Sequence, residues 1–366
     1  MPLKNLTLEI TKKCPMRCIL CSSDGGEPLP NEFKISELKD IVNQAKSIGV
    51  NEICLSGGEP LTYPYILDIC KYITDLCIDV SIYTSGNIFD GNNSLSSIPE
   101  KYFLKLRAAG VKKVVFSIHG PNPQIHDKIT GRQESFKNLL KSIRNAQRTY
   151  LNIEAHFVPL RENFKELPNI VSLLNEIGLK SIHILRFVPQ GRGELHKDVL
   201  GLRTKEVFEL RKILDDLINK SKLRIVVGAH YNCLGLNNNT QCTAGIDKAV
   251  IRPDGFVFPC VGMKRIKSFI DRNNIKEERL EDIINESSGF TLLKAILGKS
   301  ESNSCQSCIS ENNCTNGCIA QRIITYGDHD LRTDPHCINK FDIGSKLFSK
   351  NKVIGNSIYS EIVDVR

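Results

Sequence analysis

Two periods of apolar residues take turns along the first half of the chain. Short runs alternate apolar with polar positions, and longer stretches repeat apolar positions every three or four residues. Leu6–Ile10, Glu52–Leu55, Val80–Tyr83, Val114–Ile118, Ile153–Val158 and Ile182–Phe187 have the content and bounds of strands. Between them the helical period runs from Ser36, read as an N-cap, to about Ile48, with Gly49 closing the helix. It returns over Tyr65–Leu76 and near 101–109, 135–148 and 165–177. Strands that alternate with helices pair in parallel through right-handed crossovers, so the predicted fold class is α/β. A partial barrel of six β/α units of the TIM type accommodates this order, as would an open doubly wound sheet. A helix near 204–219 leads to a further strand at Leu223–Val227, and there the alternation breaks. From Tyr231 the chain is rich in Gly, Asn and Cys, which predicts a second domain folded around its cysteines. The expected divisions are 1–228 for the barrel, 229–345 for the cysteine-rich domain and 346–366 for a tail.

Composition narrows the class. Of 366 residues, 41% are hydrophobic and 25% charged, as in soluble globular proteins. No stretch reaches the apolar length of a membrane span, and the opening MPLKNLTLEI lacks the build of a signal peptide. A cytoplasmic protein with no membrane partner is expected. In a reducing compartment, 14 cysteines at short spacings point to metal binding or redox chemistry rather than disulfides. The formal charge of +8 counts those thiols as neutral, and metal-bound thiolates would offset part of it. The basic residues are scattered apart from short runs such as Lys264–Arg265, so no nucleic-acid partner is expected.

The first cysteine group follows the first strand: Cys14, Cys18 and Cys21, spaced CxxxCxxC. One loop can wrap three such thiolates around a compact inorganic core. Three ligands are one fewer than a closed structural zinc site needs. They suit a 4Fe–4S cluster with one iron left open, and zinc with a fourth ligand from elsewhere is the alternative. Downstream, Ser56-Gly57-Gly58-Glu59-Pro60 follows the second strand, and Thr84-Ser85-Gly86-Asn87 ends the third. The glycines let backbone carbonyls approach a ligand closely, and Glu59 offers a negative partner for an ammonium group.

These motifs, in this order, resemble the radical S-adenosylmethionine (AdoMet) superfamily. The resemblance implies that the open iron chelates the amino and carboxylate groups of AdoMet. An electron from the cluster then cleaves the sulfonium, and the resulting 5′-deoxyadenosyl radical abstracts hydrogen. An external electron donor such as flavodoxin or ferredoxin is implied. Gly57, Gly58, Glu59 and Pro60 correspond to the segment that holds the AdoMet amino group. Thr84, Ser85 and Asn87 correspond to the ribose-contacting segment, while Ser117 and Arg132 are candidates for the AdoMet carboxylate.

The second cysteine group reads Cys242, Gly255, Cys260, then Cys305-x2-Cys308-x5-Cys314-x3-Cys318, and later Cys337. It is similar to the seven-cysteine pattern of SPASM domains, which append two auxiliary 4Fe–4S clusters to a radical AdoMet barrel. The resemblance assigns Cys242, Cys260 and Cys318 to the first auxiliary cluster, and Cys305, Cys308, Cys314 and Cys337 to the second. Cys233, nine residues before Cys242, is the candidate fourth ligand of the first, giving three 4Fe–4S clusters in all. Cys54, Cys70 and Cys77 are left over and are read as core packing.

The SPASM resemblance implies a peptide or protein substrate and oxidative maturation of a ribosomally made peptide. Sulfatase maturases of that group carry an Asp after the cysteine equivalent to Cys260. Here the position is Val261, which argues against that activity. The barrel begins almost at Met1, so leader recognition is expected to need a separate protein or another surface. Glu154 and His156 alternate with Ile153, Ala155 and Phe157, which directs both polar groups to the barrel interior. With Arg186 they are the candidate acid–base or orienting residues. His119, in Ser-Ile-His-Gly beside the AdoMet end, has a structural reading. The alternatives are a radical enzyme acting on a small molecule such as a sugar or nucleotide precursor, and a non-catalytic electron carrier or zinc-structured binding module.

Overall fold

The computed structural model describes residues 3–236, 240–266, 269–297, 314, 316–327 and 332–338. Cys305 and Cys308 lie outside the described residues. The chain divides into two compact units, 1–228 with 243–299, and 229–242 with 300–366.

The first unit is built on β1 (Asn5–Thr11), β2 (Glu52–Gly57), β3 (Asp79–Thr84), β4 (Asn87–Phe89), β5 (Leu95–Ser97), β6 (Lys113–Ser117), β7 (Asn152–Phe157), β8 (Ser181–Ile184), β9 (Arg224–Val227), β10 (Lys248–Ile251) and β11 (Val257–Phe258). Nine of them form one sheet in the order β11-β10-β1-β2-β3-β6-β7-β8-β9, and β4 pairs β5 in a separate hairpin. Every pairing from β10 to β9 is parallel, and β11 alone runs antiparallel, against β10. All seven strands read from the alternation are present, so the α/β architecture of consecutive β/α units is as expected. The sheet continues past them: β10, from the cysteine-rich part of the sequence, pairs in parallel with β1.

Helices α1 (Ile35–Ser47), α2 (Ile66–Asp75), α3 (Glu100–Ala108), α4 (Pro123–Thr130), α5 (Ser135–Gln147) and α6 (Leu167–Glu176) supply the crossovers, and a helix at Thr204–Lys220 precedes β9. Ser36 is not the cap of α1: Lys34 holds that position, and its N–H donates to the Glu37 carboxylate at 2.7 Å. The reciprocal reach of an acidic side chain onto the cap backbone did more here than a hydroxyl at the cap.

One face of the sheet is aliphatic. Leu6, Leu8 and Ile10, then Ile53 and Leu55, Val80 and Ile82, Val114 and Phe116 and Ile182 and Ile184 are buried. Phe103 of α3 packs on Phe116 of β6 with ring centroids 6.1 Å apart. The other face carries Cys54, Ser81, Glu154, His156 and Ser181, also buried, and the half-buried Tyr83. Of the cysteines read as core, only Cys70 fits fully. The Cys54 thiol hydrogen-bonds with Ser81 and Tyr83 on the polar face. Cys77 is exposed, with φ +57° just past α2.

In the second unit, Ala229–Leu234 forms a 3-10 turn and Ile319–Tyr326 an amphipathic helix. Asp334, fully buried, organises the part near that helix. Its carboxylate accepts the N–H of Cys318 at 2.8 Å and that of His336 at 2.8 Å, and its own carbonyl accepts the N–H of Cys337 at 3.0 Å.

Leu8 is fully buried between Leu55 and Ile251 on its two neighbouring strands. We expect Leu8→Ala to cost about 2–5 kcal/mol in denaturant unfolding. Leu195→Ala, at an 80% exposed position, should stay within about 0.5 kcal/mol of wild type.

Candidate metal centre

Cys14, Cys18 and Cys21 occupy the loop after β1, and that loop is fixed by backbone bonds on several sides. Gly26 N–H donates to Lys12 O and Cys14 N–H to Gly26 O, at 2.8 and 2.9 Å. Arg17 and Ile19 N–H donate to Thr130 O and Ile129 O at the end of α4, both at 3.0 Å. Arg192 binds across the loop, its Nε on Cys18 O at 3.1 Å and its Nη1 on Gly25 O at 2.7 Å. No sequence signal marked Arg192, because its partners are backbone carbonyls about 170 positions away.

The three thiols are close enough to disfavour each other's ionisation. Burial, then the Cys21 sulfur, pushes Cys18 up to about 12, with Arg192 opposing. Burial and then Cys18 raise Cys14, and Glu59 adds to it. Cys21 Sγ accepts the N–H of Gly25 at 3.4 Å. Among the described residues no three His, Cys, Asp or Glu side chains are arranged to hold a single metal ion; three thiols spread over one loop suit a larger inorganic core, whose binding would displace their protons. The residues present therefore fit an iron–sulfur core.

Beside this loop the end of β2 comes within main-chain contact. Gly57 has φ +124°, and a Cβ there would lie 2.3 Å from Thr11 O. A Cβ on Gly58 would lie 2.3 Å from Lys13 O and 2.5 Å from Lys12 O. The absent side chains let Gly58 N–H reach Thr11 O and Glu59 N–H reach Lys13 O, at 2.7 and 2.8 Å. Pro60 then starts a one-turn 3-10 helix capped by Glu59.

Glu59 is fully buried and accepts four hydrogen bonds. Thr84 Oγ1 and Leu61 N–H donate to Oε1 at 2.8 and 3.3 Å, while Ser85 N–H and Oγ donate to Oε2 at 2.8 and 2.7 Å. Burial still pushes its carboxyl up to about 7. Thr84 and Ser85, expected to face a ribose, thus spend their hydroxyls on Glu59. Asn87 donates to Ser85 O and Ser135 O at 2.9 and 3.2 Å. Its Oδ1 is buried without a partner in the structure.

Ser117 ends β6, in register with His156 on β7. Arg132 follows α4 and donates from Nε to Pro15 O at 2.7 Å, so it grips the cysteine loop from its own side. His119 is buried and held near pKa 4 by burial; its N–H donates to His126 Nδ1 at 3.1 Å and its carbonyl accepts from Asn163 at 3.1 Å. Those partners suit a structural role.

Glu154 and His156 do lie together, on the polar face of β7. Glu154 Oε2 is 3.0 Å from His183 Nε2, and that hydrogen bond holds the carboxyl down to about 2. Lys113 at 3.8 Å and Arg224 at 3.7 Å complete its surroundings. His156 stacks edge-on against Tyr83 and His183, with centroids at 4.5 and 5.2 Å. Burial, then His183, pushes its pKa down to about 3. Around neutral pH the face thus holds an ionised Glu154 and a neutral His156. Arg186 is buried just past β8.

Of the second cysteine group, Cys260 belongs to the first unit, and its Sγ accepts Gly262 N–H at 3.3 Å. Cys233, Cys242, Cys314, Cys318 and Cys337 belong to the second. Cys314 Sγ accepts Gly317 N–H at 3.2 Å, where φ +89° and a Cβ 2.2 Å from that of Asp334 leave no room for a side chain. Asp334 joins this loop to Cys337 and was not marked by the sequence.

Two outcomes follow from this geometry. Gly58→Ala forces the Lys12–Lys13 backbone away, and we expect a loss of more than about 1 kcal/mol in denaturant unfolding. His156 is neutral in the fold but protonates near 6.5 when unfolded, so its contribution is present above that pH and is lost as pH falls towards 3. Between pH 7.5 and 5.5 the wild type should lose about 1.4 kcal/mol more than His156→Phe, read from urea midpoints at the two pH values.

Comparison with known proteins bears on this arrangement. The family model "Radical SAM superfamily" matches residues 8–174, and "Iron-sulfur cluster-binding domain", the SPASM model, matches 242–309. The AdoMet-dependent heme synthase of Methanosarcina barkeri is 26% identical over 90% of this chain and 95% of its own. The mycofactocin maturase MftC of Mycolicibacterium smegmatis is 25% identical over 95% of this chain and 85% of its own. Streptococcus suis SuiB, solved bound to its precursor peptide SuiA, has the same fold, with TM-score 0.73, 17% identity and coverage of 92% of this chain and 76% of SuiB. Among the described residues no helix is long and apolar enough to cross a membrane. With cysteine loop, glycine contact and both family models in agreement, the chain belongs to the radical SAM superfamily and carries a SPASM domain.

Proposed function

We propose that this chain is a peptide-modifying radical AdoMet enzyme with three 4Fe–4S clusters. When bound, AdoMet and its cluster supply a 5′-deoxyadenosyl radical that takes a hydrogen atom from the substrate. Cys14, Cys18 and Cys21 would hold the catalytic cluster. Gly57 to Pro60, Thr84, Ser85, Asn87, Ser117 and Arg132 would hold AdoMet. Cys233, Cys242, Cys260 and Cys318 would ligate one auxiliary cluster, and Cys305, Cys308, Cys314 and Cys337 the other.

The observation that carries the reading is the contact of Gly57–Gly58 with the cysteine loop. It sets the Glu59 carboxylate beside Cys14 and Cys18 at the end of a parallel sheet, where α/β enzymes keep their ligands. Glu59 orients Thr84 and Ser85, and the Asn87 amide is left with an oxygen to satisfy. On the polar face, neutral His156 and the ionised Glu154 paired with His183 offer fixed polar groups that can orient a substrate. The maturase relative, and the peptide bound to SuiB, favour a peptide substrate. The heme synthase relatives favour the second reading, a small-molecule substrate.

Anaerobic reconstitution should give about twelve irons per chain, and dithionite should drive release of 5′-deoxyadenosine. Replacing Cys14, Cys18 and Cys21 together by Ala should remove about four irons and all cleavage. Zinc at the cysteines, or full iron without cleavage, would leave a carrier or structural metalloprotein. Deuterium transfer into 5′-deoxyadenosine from a labelled peptide, against a labelled small molecule, separates the two substrate readings.

A further inference from the structure

A polar cleft of about 80 Å³ opens within the first unit, and none of the roles above uses it. Its walls come from the end of β1 (Glu9, Thr11, Lys12), from Ser22 and Ser23 just after Cys21, from the β10–β11 turn, and from Lys264 and Arg265 just after Cys260. It therefore lies between the two stretches of that unit that carry candidate cluster cysteines. Leu29 and Pro253 give it an apolar side.

The charge on its walls is unbalanced. Lys12, Arg252, Lys264 and Arg265 face Glu9 and Asp254. Two of the cations are committed. Lys264 Nζ, whose side chain is 3% exposed, donates to Glu9 and to Ser23 Oγ, and Ser23 Oγ donates to Glu9 at 2.9 Å. Arg252 is bonded to Asp254 and to Lys264 O. Lys12 and Arg265 are placed differently. Both lean on Asp24, at 3.4 and 3.7 Å, but Asp24 already accepts a hydrogen bond from Arg192 at 3.0 Å. Three cations share one carboxylate, and neither Lys12 nor Arg265 closes a side-chain hydrogen bond among the described residues. A cation pair with unspent donors at the mouth of a cavity attracts an anion.

We propose that this cleft anchors a carboxylate of the substrate, with Lys12 and Arg265 as its ligands and the buried Lys264–Glu9–Ser23 cluster as its fixed floor. Glu9 and Asp254 in the walls oppose a dianion, so a monoanionic carboxylate suits it best. Leu29 and Pro253 accommodate the carbons that bear it. On the peptide reading of the enzyme, the group is a side-chain or C-terminal carboxylate near the modified residue. The anion site itself does not depend on that reading, and binding can be measured without AdoMet cleavage.

The test is calorimetric titration of the reconstituted full-length protein with acetyl-triglycine and with its C-terminal amide. The acid should bind about tenfold or more tightly than the amide. The preference should vanish in Lys12→Gln/Arg265→Gln and persist in Arg148→Gln, which removes an exposed cation just past α5. Arg265→Gln alone, distant in sequence from the cysteine loop, should lose part of it even if the double variant binds iron poorly. Equal binding of acid and amide, or an unchanged preference in Arg265→Gln, overturns the site. Inorganic phosphate competing better than the acid overturns the carboxylate assignment. Competition by AdoMet would give the cleft to the cofactor's own carboxylate and overturn the substrate assignment.

Discussion

The contact of two backbones orders the rest of the site. Where β2 ends, the chain must pass so close to the carbonyls of Thr11, Lys12 and Lys13 that no side chain fits at Gly57 or Gly58. That approach turns two N–H groups onto the loop after β1 and carries Glu59 beside Cys14 and Cys18. Glu59 in turn draws Thr84 and Ser85 from the end of β3. Three consecutive strand ends are thereby locked into one surface, and Arg132 and Arg192 hold the loop from its other sides. Loops at strand ends carry function well only when something makes them rigid, and here the main chain does most of that.

A parallel sheet covered on both faces usually reads as unbroken aliphatic strands. This one keeps most of its aliphatic residues on one face and buries Cys54, Ser81, Glu154 and His156 beside Val115 on the other. Burying polar groups costs free energy unless each finds a partner, so such a face survives by pairing. Glu154 has His183, Lys113 and Arg224, and His156 has two aromatic neighbours.

How much of this was legible in the sequence depended on distance along the chain. The alternation set the strands and the face of Glu154 and His156, because a period of two is a local property. The cysteine loop and the glycine pair were readable because each motif is short. The β4–β5 hairpin, α4 and the true cap of α1 were not read, since Asn87-Ile88-Phe89 is brief and the capping acid at Glu37 lies inside the helix. Arg192 on the cysteine loop, Asp334 between Cys318 and Cys337, and Lys264 on Glu9 each join distant positions by one polar contact. The last pair is 255 residues apart, and only the packing of β10 against β1 brings it together.

The sequence's cation excess also finds a place. Burial disfavours the charged forms of Cys14, Cys18 and Glu59, and for the two thiols the neighbouring sulfurs and Glu59 add to it. A scattered positive charge would be screened by salt and help little at this distance. Instead Lys12, Arg192 and Arg265 converge on Asp24, three residues past Cys21, and Lys264 is buried on Glu9 nearby. Lys12, Lys264 and Arg265 also line the cleft, so one set of cations borders both the cysteine loop and the cavity beside it.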